Sequence, residues 1–238
     1  MISIITPVYN GEEFIRKNID SIKKLDIPYE HIVVDGGSFD KTLEILSKEK
    51  SIKVIHQADK TGMYGAIDLG FKNANGKYIC WVNCDDFIYP EGYKKIYEFA
   101  VEKNLDFVSS KGIINNLVSK VKTEVRSTRF LKYFLSKGFF PFLQPSVLYS
   151  KRIYFEVGGL DFEKFRICGD LDLFYRMAKL KHAHFGYLPI ITSEFLVHGN
   201  SLGDKNSQLS LKERKESTVP NENIIFSAAL KGLRFFKI

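Results

Sequence analysis

The sequence predicts an α/β fold, a mostly parallel sheet with helices on both faces. Three observations predict it. In the first hundred residues, short and nearly all-apolar runs alternate with segments of helical period. Three of those runs end in polar clusters, at positions that the carboxyl ends of neighbouring parallel strands would bring together. The chain has 238 residues, 45% hydrophobic and 14% aromatic, which is enough for one sizeable core.

ISIIT (2–6) is the first strand, and NGEEFIRKNIDSIKKL follows as a helix, with Phe14, Ile15, Ile19, Ile22 and Leu25 at helical spacing. HIVVDGG is a second buried strand. Ser38 is expected to cap the next helix, whose apolar positions are Phe39, Leu43, Ile45 and Leu46. IKVIH (52–56) is the third strand. A helix over 63–74 then leads into KYICWVN, which stops on Asn83-Cys84-Asp85-Asp86. Beyond it, YPEGYKKIYEFAVEKN reads as a helix, DFVSS as a strand, and KGIINNLVSKVKTEV as a hairpin turning at Asn115-Asn116. Residues 126–143 are basic and aromatic, QPSVLYS is strand-like, and GDLDLFYRMAKL (169–180) is an amphipathic helix. The segment 199–208 is loop-like. One domain over 1–203, with halves 1–110 and 111–203, and a helical appendage over 204–238 are expected.

The net charge is +7, which suits acidic partners. Basic-aromatic patches stand at 126–142 and 231–238, but no zinc finger or RNA-recognition signature accompanies them, so nucleic acid is not expected. Both patches read either as core aromatics with snorkelling lysines or as contacts to an anionic membrane. Cys80, Cys84 and Cys168 lack metal-knuckle spacing and read as reduced thiols. No run of about 18 apolar residues is present, and the first residues enter a strand pattern directly. A cytoplasmic protein, at most peripheral on the inner face of the membrane, is the expectation.

Two adjacent carboxylates repel each other unless a cation, a proton or water relieves them. Asp85 and Asp86 therefore suit Mg²⁺ or Mn²⁺ carrying phosphate oxygens, or else one caps a helix and the other faces water. Asp35-Gly36-Gly37-Ser38 admits the backbone of a nucleotide-binding loop, or is ordinary turn chemistry. Asp170 and Asp172 open a helix, where acids complement the dipole; alternatively one of them faces the cleft as a general base. His198 is either a surface residue or a ligand to metal or phosphate.

In order, these pieces resemble the inverting glycosyltransferases of family 2, with the nucleotide-sugar-binding GT-A fold. SIITPVYNGEEFIRKNIDSI is similar to the family opening, HIVVDGGSFDKT to its second block, DKTGMYGAIDLGFKNANGKYICWVNCDDFIYP to its third, and GGLDFEKFRICGDLDLFYRMAK to its acceptor-side block. The forms G-G-S and M-Y-G-A-I-D suggest relatives that build bacterial surface polysaccharides. Gly36, Asp68, Asn83 and Gly169 depart from the usual pattern.

The resemblance implies a donor, a UDP-sugar first, held by Thr6, Pro7, Tyr9 and Asn10 of the first block and Asp35 and Ser38 of the second. Asp59, Gly62, Tyr64, Asn83 and Asp85 of the third block complete that set. It implies a divalent metal, Mn²⁺ or Mg²⁺, on Asp85, Asp86 and His198, and Asp170 as the base that activates a hydroxyl of a glycan or lipid-linked acceptor. A sugar nucleotidyltransferase would need a Gly-rich basic loop after the first strand, where this chain has TPVYNGEE. A non-catalytic nucleotide-sugar binder is the remaining alternative.

Overall fold

The computed structural model describes residues 1–199, 201–202, 206–217, 219–220 and 236–237. Its strands are β1 (Ile2–Val8), β2 (Tyr29–Asp35), β3 (Lys53–His56), β4 (Tyr78–Trp81), β5 (Phe87–Ile88), β6 (Phe107–Asn116), β7 (Val121–Val125), β8 (Val147–Ser150), β9 (Phe185–Val197) and β10 (Phe236–Lys237). Its helices are α1 (Ile15–Lys23), α2 (Thr42–Ser47), α3 (Gly62–Lys72), α4 (Pro90–Glu102), α5 (Leu131–Ser136), α6 (Lys151–Glu156), α7 (Gly169–Lys179) and α8 (Ser207–Glu216).

One sheet runs in the order β10-β7-β6-β8-β4-β1-β2-β3, with β9 lying beside β6 and β5. The strands β4, β1, β2 and β3 are parallel, and so are β6 and β9. Antiparallel β8 joins the first group to the second. The α/β expectation holds, with helices on both faces.

The alternation along β4 shows how each face acquires its core. Ile79 and Trp81 point to an aromatic core under α3, α5 and α7, where Trp81 stacks on Phe174 at 5.8 Å and Phe107 on Tyr149 at 5.9 Å. Tyr78 and Cys80 point to the opposite core with Ile2, Ile4, Ile22 and the α4 residues Tyr93, Ile96 and Ala100. Burial pushes the Cys80 thiol up to about 12, as befits an inert core cysteine.

Three local expectations are corrected, and one helix is added. Ser38 does not cap α2; Asp40 Oδ1 instead accepts from the Thr42 N–H at 2.9 Å. The hairpin turns over 117–120, not at Asn115-Asn116, because Asn116 Oδ1 accepts from the N–H groups of Val118 and Ser119 and closes the turn one step later. Residues 144–146 of the strand-like QPSVLYS form a 3-10 turn before β8. Ser150 accepts from the Ile153 N–H and starts α6, which the sequence pattern did not separate from its neighbours. Most of the 231–238 patch lies outside the described residues. Among the described residues, no helix is long and apolar enough to cross a membrane.

Candidate active site

Strand β1 is flanked by β2 on one side and β4 on the other, so the connections diverge at its carboxyl end. β4 pairs only with Ile2–Ile5, and the last bond across is Val82 N–H to the Ile5 carbonyl at 2.9 Å. Buried Pro7 follows and has no N–H to continue a ladder. The loops after β1, β2, β3 and β4 therefore emerge together beyond Pro7, where sheets of this kind have their ligand crevice.

The first two loops are tied to each other. Asn10, at φ 51°, donates its N–H to Ser38 Oγ at 2.8 Å and accepts from the Phe39 N–H at 3.0 Å. Buried Asp35 accepts from the N–H groups of Gly37 at 3.0 Å and Ser38 at 3.2 Å. The side chains of Asp35 and Ser38, expected to face a nucleotide, are thus already engaged in shaping their own loop. Tyr9 stands free of it, 60% exposed and edge-on to Phe39, itself 81% exposed, at 6.1 Å. The two rings offer an apolar platform at the rim of the crevice.

Thr6 is corrected from a donor-binding residue to an inward-facing one. His31 is fully buried, and burial pushes it down to about 3, so it is neutral. Its Nε2 lies 3.0 Å from Thr6 Oγ1, which donates to Asn18 Oδ1 at 3.2 Å. The Asn18 amide then donates to the carbonyls of Asn83 at 3.0 Å and Asp86 at 2.9 Å. This buried chain of polar groups fastens the loop after β4 to α1. Asn18 was missed in the sequence, although an Asn on the same helical face as Ile15, Ile19 and Ile22 was a visible signal.

The two adjacent carboxylates divide their roles. Asp86 is turned inward, 1% exposed, and its Oδ1 accepts from the Leu196 N–H at 3.1 Å, which locks the loop to β9. Burial, and then the neighbouring Asp85, push Asp86 well above the usual carboxylate range. Its Oδ2 accepts from the Asn83 amide at 3.3 Å, so both oxygens of this expected metal ligand are engaged by donors within the protein. Asp85 is the more open of the two, its side chain 21% exposed, and its Oδ2 lies 3.0 Å from Nε2 of His198, 113 residues away in sequence. The His198 ring packs on Phe14 with centroids 4.8 Å apart. The Asp85 carboxylate suits Mn²⁺ or Mg²⁺ whose shell is completed by phosphate oxygens and water, and of the two ions the softer Mn²⁺ is the one that fits the His198 imidazole. Among the described residues, no group of three or more such ligands stands together. Asn83 Oδ1 and Gln144 Oε1, both at the end of β4, are buried without hydrogen-bond partners; Gln144 reaches that place by donating to the Trp81 carbonyl at 2.9 Å.

The third loop leads to the acid on the other side. Asp59 is exposed on the loop after β3. Gln57 donates to Thr61 Oγ1 at 2.7 Å and to the Gly62 carbonyl at 3.1 Å, fixing the start of α3. Tyr64 is buried rather than open to a donor: its hydroxyl lies 2.8 Å from the Ile167 carbonyl and 3.1 Å from Asp170 Oδ1. The Gly169 backbone lies against the Tyr64 ring, and a Cβ there would be 2.8 Å from it. Asp170 is half-buried, and burial pushes its carboxyl up to about 6 against opposing hydrogen bonds from the Leu171 N–H and Tyr64. Asp172 is instead structural, held at 2.8 Å by Arg176. From α8, buried Glu213 accepts from the N–H groups of Arg166, Ile167 and Cys168 at 2.8, 2.9 and 2.9 Å, setting the loop that enters α7.

Asp170 is thus bonded to Tyr64 of α3, the start of α3 is fixed by Gln57, and the Gln57 N–H donates to the Asp35 carbonyl at 2.8 Å, next to the loop that Asn10 ties to the end of β1. Residues 3–160 match the family described as Glycosyl transferase family 2. The chain belongs to that family. An uncharacterised glycosyltransferase of Rickettsia typhi is 29% identical over 206 residues, covering 81% of this chain and 63% of that protein. The poly(ribitol-phosphate) beta-N-acetylglucosaminyltransferase TarS of Staphylococcus aureus is 30% identical over 137 residues, covering 52% of this chain and 24% of TarS. The chain therefore spans less than two thirds of the length of these relatives. The structure of S. aureus TarS 1-349 in complex with UDP superposes with a TM-score of 0.67 at 22% identity, over 91% of this chain and 66% of the other. A Pyrobaculum calidifontis mannosyltransferase in complex with GDP-Man and Mn²⁺ gives 0.63 at 15% identity, over 92% and 65%. These similarities establish the GT-A fold for this glycosyltransferase.

Proposed function

We propose that this family 2 glycosyltransferase moves a sugar from a nucleotide-diphosphate donor, a UDP-sugar first, to a hydroxyl of a glycan or lipid-linked acceptor, with inversion, in bacterial polysaccharide synthesis. The observation that carries the reading is the pairing of the Asp85–His198 site with a half-buried Asp170 whose carboxyl is pushed up to about 6. Support for the donor comes from the UDP and UDP-GlcNAc complexes of TarS, which share the fold.

In this reading Tyr9 and Phe39 take the base, and the Asp35 loop offers backbone beside the ribose. Asp85 and His198 would hold the divalent ion, which when bound offsets negative charge on the leaving diphosphate. Asp170 accepts the proton of the acceptor hydroxyl as that oxygen bonds to the anomeric carbon. The bond from that carbon to the diphosphate oxygen breaks, and its electron pair leaves with the diphosphate. A single displacement inverts the carbon, so no covalent nucleophile is needed. A peripheral contact with an anionic membrane, where a lipid-linked acceptor sits, completes the proposal.

A screen of UDP-, GDP- and dTDP-sugars with and without Mn²⁺, followed by NMR of the product's anomeric proton, tests it. Metal-dependent consumption of a UDP-sugar with inversion is expected. Retention of configuration, or release of pyrophosphate from UTP and a sugar phosphate, would refute it.

A further inference from the structure

A cavity of about 600 Å³ lies at the opposite end of the sheet from the acids. Its walls are the segments that enter β4, β6 and β9, together with the start of α6. Lys77, Lys151, Arg152, His182 and His184 line it, with Phe155 at its edge, 42% exposed. Its one lining carboxylate, Asp106, is already engaged at 2.7 Å by Arg152. Glu156 nearby is likewise engaged by Arg152 and His182 at 3.2 Å.

The surface beside this cavity continues its character. Lys132 of α5 donates to the carbonyls of Lys181 at 3.0 Å and Ala183 at 2.6 Å, which fastens α5 to the turn that forms one wall. Leu131 and Leu135 of α5 are buried, while Phe130 and Tyr133 are each 58% exposed. The sequence between the cavity and this helix is one-sided: residues 125–155 contain six Lys or Arg and no Asp or Glu.

We infer that the cavity and the adjoining face of α5 form a docking surface for an anionic lipid bilayer, with a headgroup phosphate in the cavity and Phe130, Tyr133 and Phe155 in the interfacial layer. Cations around a concavity match the headgroup charge, and exposed aromatic rings among them match the acyl boundary. A soluble anion alone would leave three exposed aromatic rings without a role. Helix α7, 11 residues and about 16 Å long, runs from the end of the fold that carries Asp170 to this turn. The inference deepens the membrane part of the proposal above. Its test omits donor and acceptor, so that its failure is separable from failure of the catalytic reading.

The experiment is flotation of the purified chain with vesicles of phosphatidylcholine alone or mixed with phosphatidylglycerol. Binding is expected only to the mixed vesicles, weakened by about tenfold or more in Lys77→Glu and reduced in Phe155→Ser and Tyr133→Ser. Lys48→Glu, the same charge change at an exposed position just after α2, is expected to bind as the parent does, and circular dichroism confirms that each variant folds. Equal flotation with neutral vesicles, or unchanged binding of Lys77→Glu, would overturn the inference. So would retention on soluble polyphosphate without any flotation, which would make the surface a polyanion site instead.

Discussion

Asp170 is asked to be both a base and a half-buried group, and the two demands oppose each other. Its folded pKa, about 6, lies above the value near 3.9 of an unfolded aspartate, so the folded chain binds this proton more tightly. The ionised form therefore destabilises the fold, by nothing below about pH 4 and increasingly as pH rises through 6. Asp170→Asn should lose turnover by about 10²-fold or more and, at pH 8, gain stability on the order of 1 to 3 kcal/mol; urea unfolding at pH 4 and pH 8 would show the gain only at the higher pH. Activity of the parent should fall as pH drops through about 6. Tyr64→Phe keeps the ring against Gly169 but removes a hydrogen bond that favours the carboxylate, so the acidic limb of the rate profile should move to higher pH with the donor Kd unchanged. An unmoved limb would show that Tyr64 only packs. The sequence placed Tyr64 in the right block but at the donor, because a partner 106 residues away leaves no trace in local spacing. The placing of Asp85 after a strand and of Asp170 at a helix start was legible because both are local features, whereas their neighbours His198 and Tyr64 were not.

At the scale of elements, two helices hold the acids through polar side chains rather than through their apolar faces. Asn18 on α1 supplies both amide protons to the loop that carries Asp85. Asn18→Leu should cost about 2 to 4 kcal/mol in denaturant unfolding, since two carbonyls lose their donors inside the protein. Glu213 on α8 does the same for the loop before Asp170, which ties a segment expected as an appendage to the entry of α7. Glu213→Gln should lower kcat more than it raises the donor Kd, measured by steady-state kinetics and calorimetry together. A fall in donor affinity alone would place α8 at the donor instead. The strands and the longer helices were legible from period and burial, since β1 is buried along its whole length and α7 keeps its apolar stripe. The α6 start and the late hairpin turn were not, because one side chain's bonding to nearby backbone decides each.

For the whole molecule, the divergence of connections around β1 is what turns separate loops into one crevice. The parallel arrangement of the first strands followed from alternation of strand and helix, whereas their order, the return through β8 and the length of β9 rest on long-range pairing that no local pattern encodes. His198 reaches Asp85 only because β9 runs beside β5 and ends at the crevice. Chelation of divalent ions should therefore abolish donor binding and leave the unfolding midpoint nearly unchanged, because the loop after β4 is held by Asn18 and Leu196 without the ion. The most direct measurement is calorimetric titration of a UDP-sugar with Mn²⁺ into the parent, Asp85→Ala and Asp170→Asn, with turnover followed in parallel. Asp85→Ala should lose metal-dependent binding, and Asp170→Asn should bind as the parent does without turnover. Donor binding by Asp85→Ala at parental affinity, or turnover by Asp170→Asn at the parental rate, would contradict the account.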